Sequence, residues 1–301
     1  MNHEHAALIA LLRTGPNGLS WRKLTEQVLE SGSARDVWDH FNPPQLIPSP
    51  QGEAALSSAE ADLAAWARNG VRFISVLDKV FPQRLLDIVQ TPPFLFAQGV
   101  VDTDDLGVSV VGSRTASPRG LEVATNIATY LAGEGLTVIS GLAAGIDAAA
   151  HRAALGVGGR TVAFIGTGCL RTYPAQNRGL HEQIISSGNG LVLSQFWPDA
   201  PIQKQNFLMR NALMSGYGLA TIVVEAGELS GARAQARMAV EHGRPVILTD
   251  LVVHSTEWAR ALVDRPGVSV VSGWRDIGPI VERIRSEPQR TDEALRQLAH
   301  P

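Results

Sequence analysis

The stretch from Val110 to Leu155 constrains the fold more than any other part of the chain. An apolar run, Val108 to Val111, ends in Gly112-Ser113-Arg114, and a helix opens after a short polar loop at Ser117-Pro118. Serine is a favoured N-cap, and proline suits the first helical position because its missing N–H would have no partner there. A second β run, Leu136 to Ile139, feeds the loop Ser140-Gly141-Leu142-Ala143-Ala144-Gly145 and another helix, with Asp147 as its expected cap. Two consecutive strand–loop–helix units put two glycine loops and two helix N-termini on one edge of a parallel sheet. That edge is where α/β sheets bind anions. Arg114 adds a permanent positive charge to it, so the pattern predicts a phosphate site.

The same alternation runs through most of the chain. Further β runs lie at Val71 to Ile74, Thr161 to Ile165, Leu191 to Leu193, Ala220 to Val224, Pro245 to Leu248 and Val268 to Val271. Several are continuously apolar rather than alternating, as in strands covered on both faces. The expected architecture is α/β: a doubly wound, mostly parallel, extended Rossmann-like sheet with a small all-helical N-terminal domain. Helices are expected at His5 to Arg13, Trp21 to Ser31, Ala34 to Phe41 and Ser57 to Arg68, with a Pro-rich break from Asn42 to Pro50. The turn Gly15-Pro16-Asn17-Gly18 gives this module a helix-hairpin-helix-like or SAM-like look, but a plain helical packing module is the preferred reading. The expected division is 1–68 helical, 69–275 Rossmann-like and 276–301 a polar helical tail.

Composition excludes several classes. An apolar content of 45% and charged content of 18% describe a globular chain with ample core. No apolar run approaches the roughly 18 residues of a membrane span. The N-terminus carries no basic leader or cleavage site, so no signal peptide is expected. A single cysteine, Cys169, leaves no internal disulfide and fits a reducing cytoplasm. The net charge of −3 is uneven: between Gly107 and Asp250 there are 11 Lys/Arg against 9 Asp/Glu. The remainder is acidic, which permits a local basic groove.

Lys204-Gln205-Asn206-Phe207, followed by Arg210, sets a cation and an aromatic ring one helical turn apart. That pairing suits a single nucleic-acid strand, the ammonium meeting phosphate and the ring a base. Glu225 ends a buried β run and Ser230-Gly231 opens the next helix, positions from which an acid orients arginines or loop amides. There is no nucleophile elbow, Walker lysine or metal-ligand cluster, so no catalytic residue, metal or cofactor is expected. His151 has no acidic or nucleophilic partner at a defined spacing and reads as a hydrogen-bonded structural histidine.

These motifs resemble the core signature of the DprA/Smf family of bacterial DNA-processing proteins, which bind single-stranded DNA and help load the RecA recombinase. The resemblance covers about residues 70 to 250. It includes Phe81-Pro82-Gln83-Arg84-Leu85 through Pro92-Pro93-Phe94-Leu95-Phe96, and Thr161 to Gly166 through Tyr173-Pro174-Ala175-Gln176-Asn177. It also includes Lys204 to Phe207 with Arg210-Asn211, and Val224-Glu225-Ala226 through Ser230-Gly231. The resemblance implies a non-catalytic DNA-binding protein supporting recombination and transformation. DNA phosphates would meet Gly112, Ser113, Arg114, Ser140, Gly141, Gly145, Lys204, Arg210 and Asn211, a base would stack on Phe207, and Glu225, Ser230 and Gly231 would support them. It also implies a RecA-type partner and a homodimer, for which apolar Leu213, Met214 and Leu219 are the candidate surface. The winged-helix domain that many members append at the C-terminus is expected to be absent. Three departures stand out: Leu208 where the family has proline, Ala212 where it has a second arginine, and Gln195 where it has glutamate. The alternative function is an enzyme or sensor of a phosphorylated nucleotide at the same sheet edge; a scaffold without ligand is a third.

Overall fold

A computed structural model describes residues 2–43 and 50–286. Most of the Pro-rich break, residues 44–49, lies outside them, as does the expected tail beyond 286. The chain opens with four helices, α1 (Asn2–Thr14), α2 (Trp21–Ser31), α3 (Ala34–Phe41) and α4 (Pro50–Arg68). Serine caps set two of the starts: the hydroxyls of Ser20 and Ser33 accept from Lys23 N and Asp36 N. Helix α1 is buried continuously from Ala6 to Leu12 and packs against α3 and α4. A helix apolar on every side belongs inside a module. In the turn after α1, Gly15 (φ 54), Asn17 (φ 54) and Gly18 (φ 68) take left-handed backbone. The amides of Gly15 and Gly18 donate to the Leu11 and Gly15 carbonyls, so they are not turned outward toward a DNA backbone.

The rest of the chain builds one nine-stranded sheet among the described residues. Its elements are β1 (Arg72–Ser75), β2 (Phe94–Gly99), β3 (Gly107–Val111), α5 (Pro118–Gly133), β4 (Thr137–Ser140), α6 (Ile146–Gly156), β5 (Thr161–Phe164) and α7 (Arg178–Ser186). There follow β6 (Gly190–Ser194), α8 (Lys204–Tyr217), β7 (Ala220–Val223), α9 (Gly231–Glu241), β8 (Val246–Thr249), α10 (Asp250–Ser255), α11 (Glu257–Val263) and β9 (Val268–Val271). Strand order is β1-β2-β6-β5-β4-β3-β7-β8-β9. Neighbours from β6 to β9 run parallel, and β2 pairs antiparallel with both β1 and β6. Helix α6 packs against both α5 and α7, while α8 packs against α9 and α10 against α11; right-handed crossovers, the rule for parallel strands, would put the first group on one face and the others on the opposite one. Strands β3 to β8 are buried at every residue, which is why they read as continuous apolar runs.

The expected architecture is present, with two differences. Strand β2 is additional: its apolar front, Phe94 to Ala97, follows Pro92-Pro93 and shows no alternation that would mark it as a strand. Leu213, Met214 and Leu219 are 1%, 1% and 5% exposed. They pack into the chain's own core and offer no surface to a second subunit.

An aromatic cluster joins the helices to the antiparallel edge of the sheet. Trp197, in the loop after β6, stacks on Phe94 at 4.9 Å, and Trp66 of α4 meets Phe96 edge-on at 4.9 Å. Arg13 lies 5.1 Å over Trp197 and pairs with Asp62 at 2.7 Å. Residues 277–286 are helical and bury Ile277, Val281 and Ile284 with the α5 and α6 side of the core. No helix among the described residues is long and apolar enough to cross a membrane.

Candidate nucleic-acid interface

The chain leaves β3 toward β4, β5 and β6, then returns to β7 on the opposite side of β3. A crevice opens at such a switch point, beyond the carboxyl ends of the strands. Here it is a cleft of about 600 Å3, with Gly112, Ser113 and Arg114 on one side and the first turns of α8 and α9 on the other. Gly112 is required by a close approach: a Cβ would stand 2.6 Å from Glu225 O and 2.7 Å from the Ile146 side chain. That approach lets Ser113 N donate to Glu225 O at 2.6 Å.

The loops after β3 and β4 spend several of their own donors within the fold. The Glu225 carboxylate accepts from Ser117 N at 3.1 Å and from Ser117 Oγ at 2.6 Å, and Ser117 Oγ accepts from Gly120 N at 3.0 Å. The positive end of α5 therefore already faces a carboxylate. Ser140 is fully buried and its Oγ donates to Val110 O at 2.6 Å. Asp147 is not the N-cap of α6, a place taken by Gly145. Its carboxylate reaches back instead and accepts from Gly141 N at 3.1 Å and Ala143 N at 3.4 Å. Gly145 (φ 75) lets the two loops touch, with Ile146 N donating to Ser113 O at 3.1 Å. Ser140, Gly145 and Glu225 thus bind one loop to another rather than line the cleft.

Arg210 has a different place from the one its spacing implies. It is 5% exposed, and its Nη1 donates to Phe164 O at 3.1 Å and lies 4.0 Å from Asp147. Gly141 makes the room, since a Cβ there would fall 1.3 Å from Arg210 Nη1. Burial pushes the Arg210 guanidinium down to about 10, with Asp147 opposing and the Arg114 charge assisting. It remains a cation at neutral pH. Burial raises the Asp147 carboxyl, against the pull of Arg210 and the two loop amides.

The free cations lie at the cleft mouth. Arg114 is exposed, and its guanidinium sits 5.2 Å over the Phe207 ring. Phe207 is half-buried, lies on Gly166 where a Cβ would be 2.9 Å from the ring, and meets Tyr173 at 5.6 Å. Between these rings, Arg114 and Gly141 is a smaller cavity of about 130 Å3. Lys204 opens α8 and is exposed, with no side-chain cap and no acidic residue in that first turn. A cation at a helix N-terminus opposes the helix dipole, a local disadvantage that a bound anion would reverse. Among the described residues, neither Arg114 nor Lys204 has a carboxylate within ion-pair distance.

On the far wall, Ser230 caps α9 by accepting from Ala232 N, and Asn211 Nδ2 donates to Gly231 O at 3.2 Å. Leu208 and Leu229 form an exposed rim. Ala212 is 1% exposed and does not line the cleft. His151 is buried, with Nδ1 2.7 Å from Thr161 Oγ1; burial, with the Arg210 and Arg152 charges, pushes it down to about 3. Tyr173 and Gln235 also line the cavities. Tyr173 stood in a recognised run, whereas nothing in the sequence distinguishes Gln235 from other polar helix residues.

The family model described as DNA recombination-mediator protein A matches residues 72–265. Protein Smf of Synechocystis sp. is 39% identical over 180 residues, covering 58% of this chain and 45% of its own length. DNA processing protein DprA of Streptococcus pneumoniae is 40% identical over 173 residues, covering 57% and 60%. The matched regions thus span about half to three-fifths of these relatives. The X-ray structure of DprA from Streptococcus pneumoniae superposes with a TM-score of 0.69 at 29% identity, over 92% of this chain and 96% of that one. A structure of DNA processing protein A from Helicobacter pylori, described for its single-stranded DNA binding mode, gives 0.61 at 22% identity over 71% and 96%. At that identity the likeness speaks for the fold.

Proposed function

Because the chain belongs to the DNA recombination-mediator protein A family, we propose that its switch-point cleft binds single-stranded DNA without catalysis, as a step in DNA processing. One observation carries the reading: the exposed Arg114 lies 5.2 Å over the half-buried Phe207 ring, at the mouth of a cleft that Lys204 also lines. A base arriving on Phe207 competes for the ring face and leaves the guanidinium to its phosphate. The ammonium of Lys204 takes a further phosphate. Stacking needs unpaired bases, so a single strand is favoured over a duplex, and the charge contacts are indifferent to sequence. The Helicobacter pylori relative, described as binding single-stranded DNA, supports the same substrate class.

The proposal extends to recombination and transformation, with a RecA-type recombinase as partner, a homodimer as the working form and the cytoplasm as compartment. These rest on family kinship, and two linked grooves on one strand would gain avidity. Fluorescence anisotropy with oligo(dT), duplex of equal length and free nucleotides tests the core claim. The single strand should bind best; equal affinity for strand and duplex at matched salt overturns the stacking role. A monomer by light scattering at micromolar concentration overturns the dimer.

A further inference from the structure

We propose that the first turn of α9, with Gln235, is a second phosphate subsite, holding a phosphodiester of the strand next to the nucleotide on Phe207. The proposal rests on the reading of the cleft as a DNA site. Gln235 lines the cleft, is 1% exposed, and its Nε2 has no hydrogen-bond partner within the protein. Burying an amide donor without a partner is unfavourable, because the water it gives up is not replaced. That donor is closed off where it stands, but it belongs to a side chain that lines the cleft, and it is satisfied if the amide turns to a ligand oxygen there.

Helix geometry sets where that donor lies. Side chains lean toward the helix N-terminus and residues four apart share a face, so Gln235 covers the turn that begins at Gly231. Gly231 leaves that turn open: a Cβ there would meet only Asn211 Nδ2, at an ordinary 3.7 Å. Asn211 is tied to the Gly231 carbonyl.

The electrostatics favour an anion over a base carbonyl. Helix α9 has 11 residues, no acidic residue in its first turn, and a neutral serine cap. Ser230 takes the amides of Ala232 and Arg233 through its Oγ and its carbonyl, but no formal negative charge faces the start of the helix, so its dipole is left unneutralised. At α5 the equivalent position is filled by the Glu225 carboxylate. A phosphate at α9 would stand where a carboxylate stands at α5, with Arg114 lining the same cleft.

Gln235→Leu removes the donor and leaves an apolar side chain one atom shorter. The variant should unfold at the same temperature as wild type or higher, since an unpaired buried amide has been replaced by an apolar group. It should bind oligo(dT) about tenfold more weakly, as for a lost hydrogen bond to a charged group. An oligonucleotide of abasic sites should lose the same factor, because the phosphate is what is held. Unchanged oligo(dT) affinity in the folded variant, with Arg114→Ala weakened, overturns the subsite and leaves the cleft reading intact. Failure of the wild-type chain to bind oligo(dT) overturns the cleft reading itself, and the subsite with it. A loss seen with oligo(dT) and absent with the abasic strand overturns the phosphate assignment. Should Gln235→Leu not fold, Gln235→Met, unbranched and equally without a donor, carries the same expectations.

Discussion

The wall built from the loops after β3 and β4 and the wall built from the first turns of α8 and α9 both bring helix N-termini to the switch point. They dispose of their N–H groups in opposite ways. On the first wall, Glu225 occupies the start of α5 and Asp147 takes the amides of Gly141 and Ala143. On the second, α8 begins with an uncapped lysine, α9 has only a neutral cap, and the Nε2 of Gln235 is unpaired. A glycine loop at a sheet edge is therefore not in itself an anion site. Accounting for donors separates a loop whose amides hold the fold together from a helix start left open toward the cleft.

The comparison fails most visibly if the first wall is not structural. Asp147→Ala would leave Arg210 as a buried cation without its partner, and the expected loss is about 3–5 kcal/mol in denaturant unfolding. A stable Asp147→Ala protein would show that the loop amides and Arg210 do not depend on it. The Arg114→Ala protein, altered on the exposed side of the cleft, should unfold within about 0.5 kcal/mol of wild type.

Acid should act on the buried side as well. The folded-state value for His151, about 3, lies below its ordinary 6.5. The unfolded chain thus takes the proton first, and the stability His151 contributes is complete above pH 6.5 and lost as pH falls toward 3. Between pH 7 and 5 this amounts to about 2 kcal/mol. His151→Gln should show a correspondingly flatter pH–stability curve over that interval; an unchanged slope assigns the acid sensitivity elsewhere.

Ligand-side effects are smaller and of another kind. Phe207→Ala should weaken oligo(dT) binding by about 1–3 kcal/mol while leaving the salt dependence as it was. Smallest per site, Arg114→Ala and Lys204→Ala should each lower the slope of log affinity against log salt by about 0.7, equally for all DNA sequences. Anisotropy titrations over a salt series distinguish the two classes. Loss of slope in Phe207→Ala, or none in both charge variants, would show that the division of labour at the cleft mouth is misplaced.

Helices α2 and α3 begin and end at the residues their capping serines and apolar spacing indicate. Strands β3 to β8 are legible because burial on both faces demands continuous apolar runs. Strand β2 was not legible, since its pairing with β1 and β6 depends on segments distant in sequence. Arg114, Lys204 and Phe207 could be marked as candidates because position and chemistry coincide in a local motif. Gln235 could not, because a buried unpaired donor is defined by what surrounds it.

By itself, the amino-acid order determined the rhythm of elements, the doubly wound class and the edge of the sheet at which the cleft opens. These follow from local caps, periodicity and chain connectivity. Only the tertiary structure decided which donors remain free, because Glu225 reaches Ser117 and Asp147 reaches back to the glycine loop through contacts the alternation of strands and helices does not encode. It also turned Arg210 inward: its guanidinium lies where Gly141 has no side chain, a matter of the packing of α8 against that loop.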